Sequence, residues 1–224
     1  MGETRADLSR VLLRPKPLAA MAFPPLWANI VLPALRLDVR GRTAANTAFA
    51  TAYALTFDGT PHWTDPRGIR AGAAVAALVT AGLAAAVAIP ATRRRLAEVA
   101  DRGPDVHTAE WTVLHIPVGT VLAEELLYRA TLTPLLERTA GHTGTLLGAI
   151  TFGLAHIHPA RSAGDSVPGT LAITTLAGAL FDHLRRATGS TTAPALLHLA
   201  LNAGGALAPY AARAVSNRRT EASR

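Results

Sequence analysis

The sequence predicts an all-α protein, a polytopic transmembrane helical bundle of about six to eight spans. Three observations predict it. Half of the 224 residues are apolar while 17% are charged. Apolar runs recur about every 20 to 40 residues with few charges inside them. The remaining basic residues, almost all arginine because Lys16 is the only lysine, fall mainly between the runs, where they anchor helix ends at a membrane surface.

The elements follow in chain order. Residues 1–17 form a polar, basic N-terminal segment, and residues 18–106 hold N-terminal transmembrane helices and a basic loop. The first run, 18–37, is broken by Pro24, Pro25 and Pro33 and carries Arg36; the second, 43–58, is short and rich in Ala and Thr. The third, 68–90, exceeds twenty residues with a single charge near its start, long enough to span. After it, "ATRRRLAEVADRGPD" carries Arg93, Arg94, Arg95 and Arg102, which mark a cytoplasmic loop by the positive-inside rule. Residues 107–212 then contain runs at 110–136, 143–158, 168–184 and 191–212, joined by loops short enough to make neighbours antiparallel. Residues 213–224 form a polar C-terminal tail with Arg213, Arg218 and Arg219.

Charge and composition remove several function classes. The net charge of +7 is spread over short loops, with no basic helix or interleaved aromatic platform, so the expected partner is the lipid bilayer and not nucleic acid. The absence of cysteine leaves no disulfide framework, thiolate nucleophile or cysteine metal site. No compact apolar core followed by a small-residue cleavage site opens the chain, and "MGETRA" lacks the hydroxyl residue of a myristoylation signal, so attachment is expected through the spans. An excess of Ala and Arg over Ile and Lys points to a GC-rich bacterial genome, and hence to a multi-pass protein of the cytoplasmic membrane.

The informative residues are polar ones inside apolar runs. In "AEELLYRATL", Glu124, Glu125 and Arg129 each cost about 2.5 to 3.5 kcal/mol at mid-membrane, so they are expected to face the bundle interior and pair. Glu125 and Arg129 stand one turn apart with the acid first, the favourable order for an ion pair. Glu124 points about 100° away on an α-helix and is left without that partner. The pair reads as support, and Glu124 as a reagent; a charged helix end at the interface is the plainer reading. In "GTLLGAITFGLAHIHP", Gly144, Gly148, Phe152 and His156 share one stripe, the glycines allowing close helix approach and Phe152 walling a pocket beneath His156. In "APALLHLALNAGG", His198 and Asn202 share a face, and interhelical hydrogen bonding is the plainer reading for both histidines. Together these are the parts of a hydrolase: a carboxylate and an imidazole to activate water, and an imidazole with an amide to donate to an oxyanion.

These residues resemble a known set. "EELLYR" is similar to the E-E-x-x-x-R motif, "FGLAH" to F-x-x-x-H and "HLALN" to H-x-x-x-N of the CPBP family, the CAAX proteases and bacteriocin-processing intramembrane endopeptidases, also called the Abi family. The motifs occur in order, and the resemblance covers about residues 107–212. It implies a multi-pass endopeptidase acting on membrane-associated peptides or proteins. Carried over by position, Glu124 and His156 activate the water, His198 and Asn202 stabilise the oxyanion, and Glu125 and Arg129 support the site. The family is labelled both as metalloprotease and as metal-free glutamate protease. Glu124, His156 and His198 could hold Zn²⁺ with one open position, although H-E-x-x-H is absent; both routes stay open. The chain departs from larger relatives in lacking a further apolar helix after H-x-x-x-N.

Two other function classes use the same residues. One is a non-catalytic membrane protein, for immunity, partner binding or ion and proton handling. The other is a di-iron oxidase, for which only His156, His198 and His183 are placed and the dense paired histidine boxes are missing. His115 is expected to be a packing residue. Asp182, His183, Arg185 and Arg186 are expected to form a solvated helix end, and Trp27, Trp63 and Trp111 to be interfacial anchors.

Overall fold

The computed structural model describes residue 11 and residues 14–221, with side chains as far as residue 218. Most of the N-terminal segment 1–17 and the last residues of the tail therefore lie outside the described residues. Among the described residues there is no strand, as an all-α reading expects.

Helix α1 runs from Pro15 to Ala34, through a π-helical turn at Trp27–Val31. Pro15 sits in the first turn, where no backbone donor is needed, while Pro24 and Pro25 lie inside the helix. Helix α2 is Val39–Thr56, capped by the Asp38 carboxylate, which accepts from the Gly41 amide. Helix α3 is Pro66–Ala88, capped in the same way by Asp65, and α4, Pro90–Glu98, carries the basic cluster. Helix α5 opens at Thr108–Glu110 and continues as π-helix over Trp111–Leu122 and Glu125–Leu132. It leads into α6, Thr133–Leu154, which is broken at Ala140 and Gly141. The break falls between the runs expected at 110–136 and 143–158, and Gly141 has φ 53°, a left-handed conformation that glycine tolerates. Helices α7 (Ile157–Ala163), α8 (Val167–Thr188) and α9 (Thr192–Glu221) complete the chain. The residues read as a polar tail from 213 onward extend α9, because a helix needs only its own backbone hydrogen bonds to continue past its apolar stretch.

Helix α9 packs along α3, α8 along α6, and α2 along the first π segment of α5. Gly72 sets the α3–α9 approach: a Cβ there would lie 3.0 Å from the Cα of Ala193. Gly144 and Gly148 do allow close contact, but with the first arm of α6, since Cβ atoms there would meet the Leu136 carbonyl and the Thr133 hydroxyl.

Among the described residues two helices, Pro15–Ala34 and Pro66–Ala88, are long and apolar enough to cross a membrane, fewer than the six to eight spans expected. Burial is inverted relative to a water-soluble fold. Leu55, Leu78, Val113 and Leu176 are each at least two-thirds exposed, while Glu125, Arg129, Asp182 and His198 are buried.

Candidate active site

Both carboxylates of α5 reach one side chain, at the junction between its two π segments. Pro117 removes one backbone donor from the first π segment, and π turns recur at functional sites. In an α-helix Glu124 and Glu125 would diverge by about 100°; here both reach the His198 imidazole. Glu125 Oε1 lies 2.9 Å from His198 Nδ1, and Glu124 Oε2 lies 3.7 Å from His198 Nε2. A carboxylate only accepts, so with Glu125 ionised His198 carries its proton on Nδ1. The expected Glu125–Arg129 ion pair is present at 3.7 Å, one turn apart, but the hydrogen bond of Glu125 goes to His198.

Arg129 is 1% exposed. Its Nε lies 3.6 Å from Asp182 Oδ1, its Nη2 donates to the Gly178 carbonyl at 3.3 Å, and its guanidinium carbon sits 4.3 Å from the Phe152 ring centre and 4.9 Å from that of Phe181. The expectation of a solvated helix end at Asp182 is therefore corrected. His183 is exposed and Arg185 pairs with Glu137, but Asp182 is 1% exposed, because Gly178, Phe181 and Asp182 are the buried residues of α8. The signal that could have found it is a stripe of the kind that singled out His156: Gly178 and Asp182 stand one turn apart in an apolar run.

His156 ends α6 and caps α7. Its Nδ1 lies 2.8 Å from the Phe152 carbonyl, and a carbonyl only accepts, so Nδ1 holds the proton and Nε2 is left to serve as a base or ligand. The Phe152 ring packs edge-on at 4.8 Å, walling the imidazole as its place in the stripe implied. Asn29 on α1, which no spacing singled out, ties this turn down. It donates to the Leu154 carbonyl at 2.9 Å and accepts from the His158 amide at 2.7 Å.

Glu124 and His156 line one cavity of about 630 Å³, together with Ala123, Leu127, Tyr128 and Ala155. The Glu124 side chain is 25% exposed, and its Oε2 is buried without a hydrogen-bond partner. His198 lies behind Glu124, stacked on Phe181 at 4.9 Å, and Asn202 sits half-buried a turn further on; neither lines the cavity. His115, expected as a packing residue, is buried but lines the same cavity, with Nδ1 2.8 Å from Thr43 Oγ1 and Nε2 3.1 Å from Glu110 Oε1. Among the described residues no three of His, Asp and Glu are gathered as a metal ion requires, so Glu124, His156 and His198 as arranged do not fit Zn²⁺, and no step is routed through a metal.

The fold and this site define a helical membrane protein with a carboxylate and an imidazole facing one cavity beside a buried charge cluster. Residues 107–204 match the model of the Rce1-like family, the type II CAAX prenyl endopeptidases. No curated protein and no solved structure matches the chain.

Proposed function

We propose that the protein is an intramembrane endopeptidase that hydrolyses membrane-associated peptides or proteins with a water activated by Glu124 and His156. The observation that carries this reading is the shared cavity, which both Glu124 and His156 line. Glu124 takes a proton from the water as it attacks the scissile carbonyl. His156 holds that water through Nε2, with Nδ1 committed to the Phe152 carbonyl, and the proton then passes to the leaving amine. His198 and Asn202 are assigned the oxyanion; with Nδ1–H held by Glu125, His198 donates through Nε2 as the imidazolium. His198 Nε2 lies 3.7 Å from the Glu124 carboxylate, and substrate binding must turn both side chains toward the cavity.

Exposed apolar side chains on α1, α2, α3, α5, α6 and α8 around a charged interior support a multi-pass bundle in lipid. The composition supports a bacterial cytoplasmic membrane. The test is cleavage of candidate membrane peptides by the purified protein in liposomes. Glu124→Gln and His156→Ala are each expected to lower kcat by about 10² to 10⁴, and a chelator is expected to leave the rate unchanged. Cleavage that survives both substitutions would return the site to a non-catalytic role in binding or ion handling. Asn202→Ala tests the oxyanion assignment separately.

A further inference from the structure

The proposed mechanism leaves one buried ionised group unused. Asp182 is 1% exposed, its ionic neighbour is Arg129 Nε at 3.6 Å, and the Thr133 hydroxyl stands beside its carboxylate. On the other side of the same guanidinium, Glu125 Oε1 stands 3.7 Å from Nη1. Arg129 is thus balanced between two carboxylates and hydrogen-bonded to neither, its Nε and Nη1 being without partners. That balance frees Glu125 Oε1 to accept from His198 Nδ1 at 2.9 Å, which in turn aims His198 Nε2 at Glu124.

Remove the charge at Asp182 and the balance fails. The guanidinium then faces a single buried carboxylate, and an arginine fork and a carboxylate close to bidentate contact when nothing opposes it. Glu125 would be drawn off the imidazole, His198 would lose its acceptor, and its ring would be free to turn away from Glu124. We infer that Asp182 is a positioning residue for the catalytic centre: it is the counter-anion that holds Arg129 away from Glu125, so that Glu125 fixes the orientation and tautomer of His198. The role acts through two other residues and makes no contact with the cavity, which Asp182 does not line. It rests on the reading of Glu124 as the base, yet its structural half can be read without any turnover.

The experiment uses the full chain in detergent, labelled with ¹⁵N-histidine. In the wild type the His198 Nδ1–H gives a proton resonance displaced by its carboxylate acceptor, assigned by its loss in His198→Gln. Asp182→Asn is expected to remove that resonance and to lower kcat about ten- to a hundredfold, the usual effect of losing a residue that orients a functional histidine, with KM within about twofold. Asp182→Glu is expected to restore most of both. The deciding variant is Arg129→Gln with Asp182→Asn: with both charges gone, Glu125 has no competing cation and the Nδ1–H resonance is expected to return. It also returns the net charge of the cluster to its wild-type value, with His198 as the partner of Glu125. An unchanged resonance in Asp182→Asn, or no return of it in the double variant, would overturn the inference. A wild type that cleaves nothing while the resonances behave as described would overturn the peptidase reading alone.

Discussion

Replacing Arg129 with methionine removes the one cation from a cluster that then holds two carboxylates, Glu125 and Asp182, at 0% and 1% exposure. The substitution roughly conserves volume, so packing is a minor part of the change. Breaking a buried ion pair from one side costs about 3 to 5 kcal/mol because the abandoned charge stays desolvated, and here two charges are abandoned. The guanidinium also lies 4.3 Å from the centre of the Phe152 ring, a contact of about 2 kcal/mol where water is excluded. These contributions share one cation and do not add, so the expected loss is about 5 kcal/mol, more than a thousandfold in the folded-to-unfolded ratio. Equilibrium unfolding of the full chain in mixed detergent and SDS micelles measures it. The companion variant adds Glu125→Gln and Asp182→Asn to Arg129→Met, and it is expected to recover most of the loss because neutral polar groups are far cheaper to bury. Arg129→Met within about 1 kcal/mol of the wild type, or a companion no more stable than the single variant, would show that the cluster is not held together by charge.

Gly144→Ala places a methyl group against the Leu136 carbonyl, where backbone cannot yield; a loss of about 1 to 3 kcal/mol is expected, seen as a lower unfolding midpoint. Asn29→Ala removes the bonds that tie α1 to the turn carrying His156; faster amide exchange at 154–158 and a loss of about 1 to 3 kcal/mol are expected, and unchanged exchange would release Asn29 from that role. The paired hydrogen bonds from Arg213 hold the Asp101 carboxyl below its ordinary value of 3.8. A depressed carboxylate stabilises the fold above that ordinary value and loses the contribution as pH falls through the lower folded value. Amide exchange at the α4–α9 contact is therefore expected to quicken below about pH 3.8, and Asp101→Asn to abolish the dependence.

Much of this was legible in the sequence, and the parts that were not share a cause. The boundary between 136 and 143 could be read because "ERTAGH" interrupts two apolar runs, and a glycine sits where the chain turns. The stripe through Gly148 and Phe152 could be read because α6 there keeps regular helical spacing, and His156 follows in the turn that ends it. The convergence of Glu124 and Glu125 on one imidazole could not, since π and α winding need the same residue types and differ only in which amide meets which carbonyl. Asp182 was masked by company: His183, Arg185 and Arg186 follow it, and the charged run reads as a solvated end unless the helix face is resolved residue by residue. The continuation of α9 to Glu221 was masked too, because polarity marks where lipid stops and not where a helix stops.

The π-helical course of α5 makes chain length itself a determinant of the site. Each π turn holds more residues than an α turn, so deleting one residue from a π segment would let the helix relax to ordinary winding at little local cost. Where the helix does not relax in that way, a deletion rotates everything on one side of it by about 100° relative to the other. A deletion within Trp111–Leu122 would thus swing Thr43's neighbour His115 out of register with Glu124, while one within Glu125–Leu132 would part the glutamates from Arg129. Substitutions along this helix are filtered by size and polarity; insertions and deletions are filtered by angle. Length variation among related chains should therefore gather in the loops and be scarce between residues 111 and 132, even where the side chains there are free to differ.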